Sequence, residues 1–207
     1  MIALAALLGY LVGSAPTAGL LGRLWGVDLR TEGSGNPGTH NALRTVGPAL
    51  AAVVLMVEAA KGLGATLIGG GLADDAGMVA AGLGAVAGNV YNVWYRLGGG
   101  KGLGISLGVV LGAWPIAVAP VVLLIASAAV VTRSAGLAAL TAIAGMIVLS
   151  VVWVAYELPT GGTSPDILLV VFAWGLAALL SYKHWRDSPL NPRWRSRSRE
   201  SVSPGRH

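Results

Sequence analysis

The feature that most constrains this chain is a series of apolar segments of the length that crosses a lipid bilayer. Of the 207 residues, 55% are hydrophobic and only 11% are charged, whereas soluble domains carry about 25% charged residues. A crossing helix takes ~20 apolar residues. We identify seven segments, at residues 3–22, 48–71, 76–95, 103–113, 116–131, 135–156 and 167–182. The sequence therefore predicts an all-α integral membrane bundle of seven helices.

The fourth segment, 103–113, is too short to cross ~30 Å of hydrocarbon at ~1.5 Å per residue. We therefore expect a short half-helix there. Pro115 follows directly, and proline interrupts helices. The fourth and fifth segments thus form either two helices or one broken helix.

The distribution of charges predicts the orientation of the bundle. With the N-terminus outside, all of the 14 Lys and Arg residues except Lys61 fall on the cytoplasmic side. The opposite connections hold no Lys or Arg, but they hold Asp74, Asp75, Glu157 and Asp166. This asymmetry follows the positive-inside rule, which a six-helix count would break. We predict an N-terminus outside and a C-terminus in the cytoplasm.

The chain divides into one transmembrane domain, residues 1–185, and a basic tail, residues 186–207. Arginine alternates with serine in the tail, which has no apolar face. We expect the tail to be disordered and attracted to anionic lipid, at ~1 kcal/mol per basic residue near the surface. We therefore explain the net charge of +5 by attraction to the lipid bilayer, which is the expected partner. A nucleic-acid partner is not expected.

Two polar, glycine-rich stretches fall on the predicted cytoplasmic side. Residues 30–47 read RTEGSGNPGTHNALRTVG, and residues 95–104 read YRLGGGKGLG. Glycines let backbone N–H groups turn toward one centre, and such nests bind anions together with helix N-termini. Neither stretch contains the P-loop pattern. Each alone could be a tight connection with solvated cations, but two on one side favour a phosphate site.

Five motifs resemble, in order, the membrane glycerol-3-phosphate acyltransferases that use acyl phosphate, the PlsY family. The resemblance covers nearly the whole chain and is most specific in the first glycine-rich stretch. That family consists of seven-helix membrane enzymes with an outside N-terminus and a cytoplasmic site. The motifs are GSAPT at 13–17, GSGNPGTHNALRTVG at 33–47, EAAKG at 58–62, GNVYNVWYRLGGGKG at 88–102 and KHWRD at 183–187.

The resemblance implies acyl transfer from acyl phosphate to the 1-hydroxyl of glycerol 3-phosphate. The products would be lysophosphatidic acid and phosphate, in phospholipid biosynthesis at the cell membrane. Donor and acceptor both carry phosphate, so the site needs cations and N–H donors, and it works by positioning and electrostatics. In the mechanism proposed for the family, a substrate phosphate assists deprotonation of the attacking hydroxyl. No cofactor or metal is expected.

The resemblance assigns catalytic roles to Ser34, Arg44 and Lys101. Ser34 and the glycine N–H groups would hold the acyl phosphate. Arg44 and Lys101 would bind anionic oxygens, with Lys101 on the glycerol 3-phosphate side. The implied substrate-binding residues are Gly33, Gly35, Asn36, Gly38, His40, Asn41, Gly99, Gly100, Gly102 and His184.

Several positions depart from the family pattern. Asn89, Asn92 and Gly98 stand where the family has His, Pro and Lys, and Glu58 replaces an Asp. Asp187 stands where the family has Asn, and an acid there repels phosphate instead of donating a hydrogen bond to it.

Relative to the family pattern, one histidine is lost, at position 89, and another is gained, at position 40. His40 stands where the family has Thr, and Thr39 where it has Ala, while the His of the second motif is absent. His40 either takes over as proton acceptor or phosphate donor, or it is a tolerated polar residue. We expect His184 to be interfacial rather than a base. We expect Glu58 and Lys61, which share a helix face, to brace the first glycine-rich stretch.

Three other functions are compatible with the sequence. A divergent homologue could use another acceptor or bind anionic lipid without catalysis. A small-anion transporter is disfavoured, because Glu58 and Lys61 are the only charged residues predicted within a span and a transmembrane pathway is hard to draw from one pair.

Overall fold

The computed structural model describes residues 1–192, so most of the predicted tail lies outside the described residues. Two 3₁₀ turns, Val93–Tyr95 and Pro115–Ala117, precede α5 and α6. The helices are α1 (Ile2–Ser14), α2 (Thr17–Leu24), α3 (Thr39–Thr45), α4 (Pro48–Val90), α5 (Leu103–Ala113), α6 (Val118–Thr132), α7 (Ala135–Ala155) and α8 (Ile167–Arg186).

Within residues 1–192, five helical stretches are long and apolar enough to cross a membrane. One of them, Pro48–Tyr95, has 48 residues and folds back on itself, because Ala73 and Asp74 leave the helical conformation. Gly69 packs directly on Gly77, which a straight helix would hold ~12 Å apart. Counting the two arms of α4 separately gives six long segments within residues 1–192, and the half-helix α5 is the seventh membrane helix. The predicted seven-helix membrane bundle is confirmed, and the protein is a multi-pass integral membrane protein.

The connections lie alternately at two ends of the bundle. At one end, Lys183 near the end of α8 donates to the carbonyl of Gly99, and Gly136 packs on the carbonyl of His184. At the other end, the N–H of Ser164 donates to Asp75. We call the first the basic end, since it carries the predicted cytoplasmic connections. The orientation of that end across the membrane stays a prediction.

The half-helix α5 ends inside the bundle, where its last carbonyls need partners. A loop from the other end of the bundle supplies them. The N–H and the hydroxyl of Thr163 both donate to the Ala113 carbonyl, each at 2.8 Å. The helical conformation breaks at Trp114, and α6 then runs back toward the basic end. The fourth and fifth segments are therefore two antiparallel helices rather than one broken helix.

Glycines let the first helix approach the second arm of α4 closely. Gly9 and Gly13 of α1 face the backbone of Ala81 and Ala85 with no space for a Cβ. Small residues serve this purpose in membrane bundles, where water does not drive helices together. The close packing fixes the end of α4 beside the α1–α2 junction, which is where the polar connections meet.

Candidate active site

The first glycine-rich stretch is folded around one buried side chain, Asn41. Its Nδ2 donates to the carbonyls of Leu29 at 2.9 Å and Glu32 at 3.0 Å. Its Oδ1 accepts from the N–H of Ser34 at 2.8 Å. Both amide protons are used, so Asn41 shapes the loop instead of presenting its side chain to a ligand.

Lys183 fixes the second glycine-rich stretch. Its ammonium donates to the carbonyls of Val90 at 2.8 Å, Gly99 at 2.7 Å and Gly100 at 2.9 Å. A lysine has three donors, so all of them are engaged. Gly99 packs on the Asn89 carbonyl with no space for a Cβ. The sequence interpretation missed this role, and the only signal for it was the place of Lys183 in the KHWRD motif.

Lys101 is held at two points, its carbonyl by His184 and its ammonium by Asp187. The His184 ring Nε2 lies 3.2 Å from the Lys101 carbonyl, and the side chain is only 2% exposed. The ring is therefore buried beneath the loop, and its position relative to the membrane interface stays a prediction. The Lys101 ammonium lies 2.6 Å from Asp187 Oδ2. Gly102 then starts α5 from a left-handed conformation, with φ of +82°.

The two glycine-rich stretches meet at the polar end of one cavity of about 510 Å³. Asn36, Gly38 and His40 line it from the first stretch, and Lys101 and Gly102 from the second. Among the described residues, Lys101 is the only Lys or Arg in the lining. The polar part of the described lining thus combines backbone groups, the Asn36 amide, the His40 imidazole, the Lys101 ammonium and the Glu58 carboxylate.

The rest of the cavity is apolar and extends between α5, α6, α7 and α8. Ser106 interrupts the apolar lining: its hydroxyl is buried and has no hydrogen-bond partner within residues 1–192. The cavity is therefore amphipathic along its length. Apolar side chains in its wall include Val110, Val121, Ile125, Ile143, Met146 and Leu176.

The structure brings together some of the predicted site residues and leaves others beside the cavity. Asn36, Gly38, His40, Gly100, Lys101 and Gly102 line it. Ser34 and Arg44 are exposed, at the surface of the first stretch. The remaining predicted residues that do not belong to the described lining are Gly33, Gly35, Asn41, Gly99 and His184.

Glu58 borders the cavity and anchors a buried polar network. Its carboxylate accepts from Lys61 at 3.1 Å and from Asn89 Nδ2 at 2.8 Å, and from the hydroxyl of Thr17. Lys61 also donates to the Ala15 carbonyl at 2.8 Å. The pair therefore braces the α1–α2 junction and Asn89. Within residues 1–192, the side-chain hydrogen bonds of the pair do not reach the first glycine-rich stretch, contrary to our expectation.

Comparison with known proteins now decides the family. The family model described as glycerol-3-phosphate acyltransferase matches residues 3–189. The chain belongs to this family.

Curated members of the family match part of the chain. The glycerol-3-phosphate acyltransferase of Synechococcus sp. (strain JA-3-3Ab) is 50% identical over 118 residues, which is 56% of this chain and 58% of that protein. That of Symbiobacterium thermophilum is 48% identical over 113 residues, 55% and 57% of the two chains. The chain thus aligns with less than two thirds of the length of these relatives.

Two crystal structures of PlsY, an integral membrane glycerol 3-phosphate acyltransferase, have a similar fold. The glycerol 3-phosphate form is 25% identical, with a TM-score of 0.75 over 100% of this chain and 95% of that one. The lysophosphatidic acid form is 24% identical, with a TM-score of 0.76 over 98% and 94%. The acyltransferase family fold therefore extends over the described chain.

Within this acyltransferase family member, His40 is an unusual titratable group at the cavity. Its pKa lies below the ordinary value of 6.5 because of partial desolvation, with the positive charges of Arg44 and Lys101 adding to the effect. A pKa below 6.5 leaves the imidazole mostly neutral at pH 7. A neutral imidazole has one nitrogen free to accept a proton.

We predict that NMR titration of the histidines will give His40 a pKa below 6.5, with His40→Gln identifying its signal. Arg44→Gln should raise that pKa toward 6.5, because it removes one repelling charge. The unfolded chain binds the His40 proton first as pH falls below 6.5, so the free energy of unfolding should fall with pH in that window. If the His40 pKa is unchanged in Arg44→Gln, the Arg44 guanidinium does not act on His40, and this prediction is wrong.

Proposed function

We propose that this protein transfers a fatty acyl group from acyl phosphate to the 1-hydroxyl of glycerol 3-phosphate. The products are lysophosphatidic acid and inorganic phosphate. The observation that carries the proposal is the amphipathic cavity, whose one polar end is built from both glycine-rich stretches. Its shape and polarity suit a donor with a phosphate group at one end and a hydrocarbon chain behind it.

The acyl chain would occupy the apolar part of the cavity between α5 and α8. Its burial there needs no polar partner, and each buried CH₂ contributes ~0.8 kcal/mol of transfer free energy. Ser106 lies one helical turn beyond Gly102 along α5, or ~6 Å. Its unpartnered hydroxyl can donate to an oxygen of the acyl group that lies next to the phosphate.

The phosphate groups would lie at the polar end. Lys101 supplies positive charge there, and the glycine-rich backbone allows close approach of an anion. The attacking hydroxyl oxygen bonds to the acyl carbon while the bond from that carbon to the phosphate oxygen breaks. The hydroxyl proton passes to a phosphate oxygen or to the neutral His40. Ser34 and Arg44 would close over the phosphates from the exposed side of the first stretch.

We place the reaction in the cell membrane with the basic end facing the cytoplasm. The placement rests on the positive-inside distribution of Lys and Arg, since the basic connections share one end of the bundle. It also gives the water-soluble glycerol 3-phosphate direct access to the site. Residues 1–185 would form the catalytic domain, with the basic tail held at the same lipid surface.

The test is an assay of the purified protein in lipid nanodiscs, with palmitoyl phosphate and glycerol 3-phosphate. We expect lysophosphatidic acid and phosphate to appear in equal amounts. Ser34→Ala should lower kcat/KM about tenfold to a hundredfold, through loss of a hydroxyl donor to phosphate. Ser127→Ala is the matched control, because Ser127 is exposed on α6 and bonds only within its own helix.

The outcomes separate the open alternatives. Turnover only with a different polyol phosphate would show a divergent acceptor. Binding of acyl phosphate without turnover of any polyol phosphate tested would show a silent homologue, and the proposal would then be wrong.

A further inference from the structure

The cation at the polar end of the cavity already has an anionic partner within the chain. Lys101 Nζ lies 2.6 Å from Asp187 Oδ2, with the two side chains 27% and 31% exposed. Lys101 lines the cavity, whereas Asp187, the residue after the end of α8, is not in the described lining. The Asp187 carboxylate is therefore already paired with the Lys101 ammonium that would bind phosphate.

Other cations near Asp187 do not replace Lys101 at the cavity. The three donors of Lys183 are engaged by backbone carbonyls. Arg186 contacts the second carboxylate oxygen of Asp187 at 3.3 Å and does not line the cavity. Within the described residues, Lys101 is thus the only Lys or Arg that lines the cavity, and Asp187 partly neutralises its charge.

Asp187 is ionised when the site operates. Burial of the carboxyl group raises its pKa, but the hydrogen bond and charge of Lys101, together with Arg186, more than offset burial and hold the pKa below its ordinary value. A full negative charge is therefore present beside Lys101 at neutral pH.

We propose that Asp187 competes with phosphate for Lys101, and so lowers the affinity of the site for its phosphate-bearing ligands. The inference rests on the proposed function, because it concerns the phosphates of that reaction. A lysine has three donors, so a phosphate oxygen can bind while Asp187 stays attached. The phosphate and the carboxylate then lie roughly 5 Å apart and repel each other.

The competition acts on product as well as on substrate. Inorganic phosphate is a mixture of singly and doubly charged anions at neutral pH, so it meets the same repulsion once it is formed. As phosphate leaves, the Lys101 ammonium can again pair fully with the Asp187 carboxylate. Weak binding of substrate phosphate and easy release of product phosphate are thus two effects of the same carboxylate.

The test compares Asp187→Asn with the wild type, using inorganic phosphate as the probe. We expect the Ki of phosphate, measured as a product inhibitor, to fall about fivefold in Asp187→Asn. The KM for at least one phosphate substrate should fall by a similar factor. The difference should shrink at high ionic strength, because both charges are partly exposed and salt screens them.

Two control variants distinguish charge from packing. Asp187→Glu keeps the charge and should keep a Ki close to the wild-type value. Asp28→Asn removes a carboxylate that pairs with Arg23 at 3.5 Å, outside the cavity lining, and should leave the Ki unchanged.

An unchanged or higher Ki in Asp187→Asn would overturn the proposal, since it would mean that Asp187 only positions Lys101. Calorimetric titration of phosphate into the same proteins in nanodiscs tests the inference without turnover. If the wild type does not catalyse acyl transfer, the proposed function fails, while tighter phosphate binding by Asp187→Asn would still support the competition. If Asp187→Asn does not fold, Asp187→Ser is measured in its place.

Discussion

Lys101→Ala should lower kcat/KM for acyl transfer by about a thousandfold, which corresponds to ~4 kcal/mol of transition-state stabilisation. Among the described residues, Lys101 is the only Lys or Arg that lines the cavity. Without it, the described lining meets the charge on the leaving phosphate with neutral groups and the Glu58 carboxylate. Two opposite charges ~4 Å apart near a protein surface interact by ~4 kcal/mol, which sets the expected size. Steady-state kinetics with palmitoyl phosphate and glycerol 3-phosphate measures it.

The control for this variant is the double variant Lys101→Ala/Asp187→Asn. Removing the lysine alone leaves the Asp187 carboxylate without its 2.6 Å partner, which could itself impair the site. We expect the double variant to recover no more than about tenfold of the loss, because the missing cation is the main defect. Lys101→Arg keeps the charge with a different donor geometry and should be intermediate. Full recovery in the double variant would show that Lys101 serves only to neutralise Asp187.

The architecture was predictable because the membrane imposes it. The thickness of the hydrocarbon sets the length of each crossing helix, and basic residues fall in alternate connections. Seven membrane segments therefore followed from the apolar runs and from the positions of Arg and Lys. The half-helix followed from the length of 103–113. Its partner loop did not, because hydrogen bonds from Thr163 to Ala113 join residues 50 positions apart with no local sequence signal.

The site was predictable only in part. Glycine-rich stretches indicated where an anion could approach, and the structure places Lys101 and His40 together at the cavity. The prediction did not separate residues that face the cavity from residues that shape its loops. Asn41 is polar, close to the glycines and matches the family motif, yet its amide is engaged by Leu29, Glu32 and Ser34. The presence of a residue in a motif does not show where its side chain points.

The contacts of Asp187 were the hardest to anticipate. From the sequence, an acid at that position reads as an isolated repulsive charge. In the structure it contacts Lys101, 86 positions earlier, and becomes part of the electrostatics of the site. Such long-range ion pairs depend on how α8 ends beside the second glycine-rich stretch, which hydropathy and charge patterns do not determine.

Lys61→Met should destabilise the protein by about 3–5 kcal/mol, the range for breaking a buried ion pair from one side. Glu58 and Lys61 lie 3.1 Å apart, with side chains only 7% and 11% exposed. The variant leaves the Glu58 carboxylate buried with only Thr17 and Asn89 as side-chain donors. It also removes the donor to the Ala15 carbonyl. SDS-induced unfolding in mixed micelles measures the free energy.

The double variant Glu58→Gln/Lys61→Met is the matching control. It removes both charges, and the glutamine oxygen can still accept from Asn89, so no uncompensated charge stays in the bundle. We expect it to recover at least half of the stability lost in Lys61→Met, because neutralising both partners avoids the cost of an orphaned buried charge. If the double variant is instead as unstable as the sum of its two single variants, the charges are independent. The loss would then come from the α1–α2 junction that Lys61 holds at Ala15, and not from the ion pair.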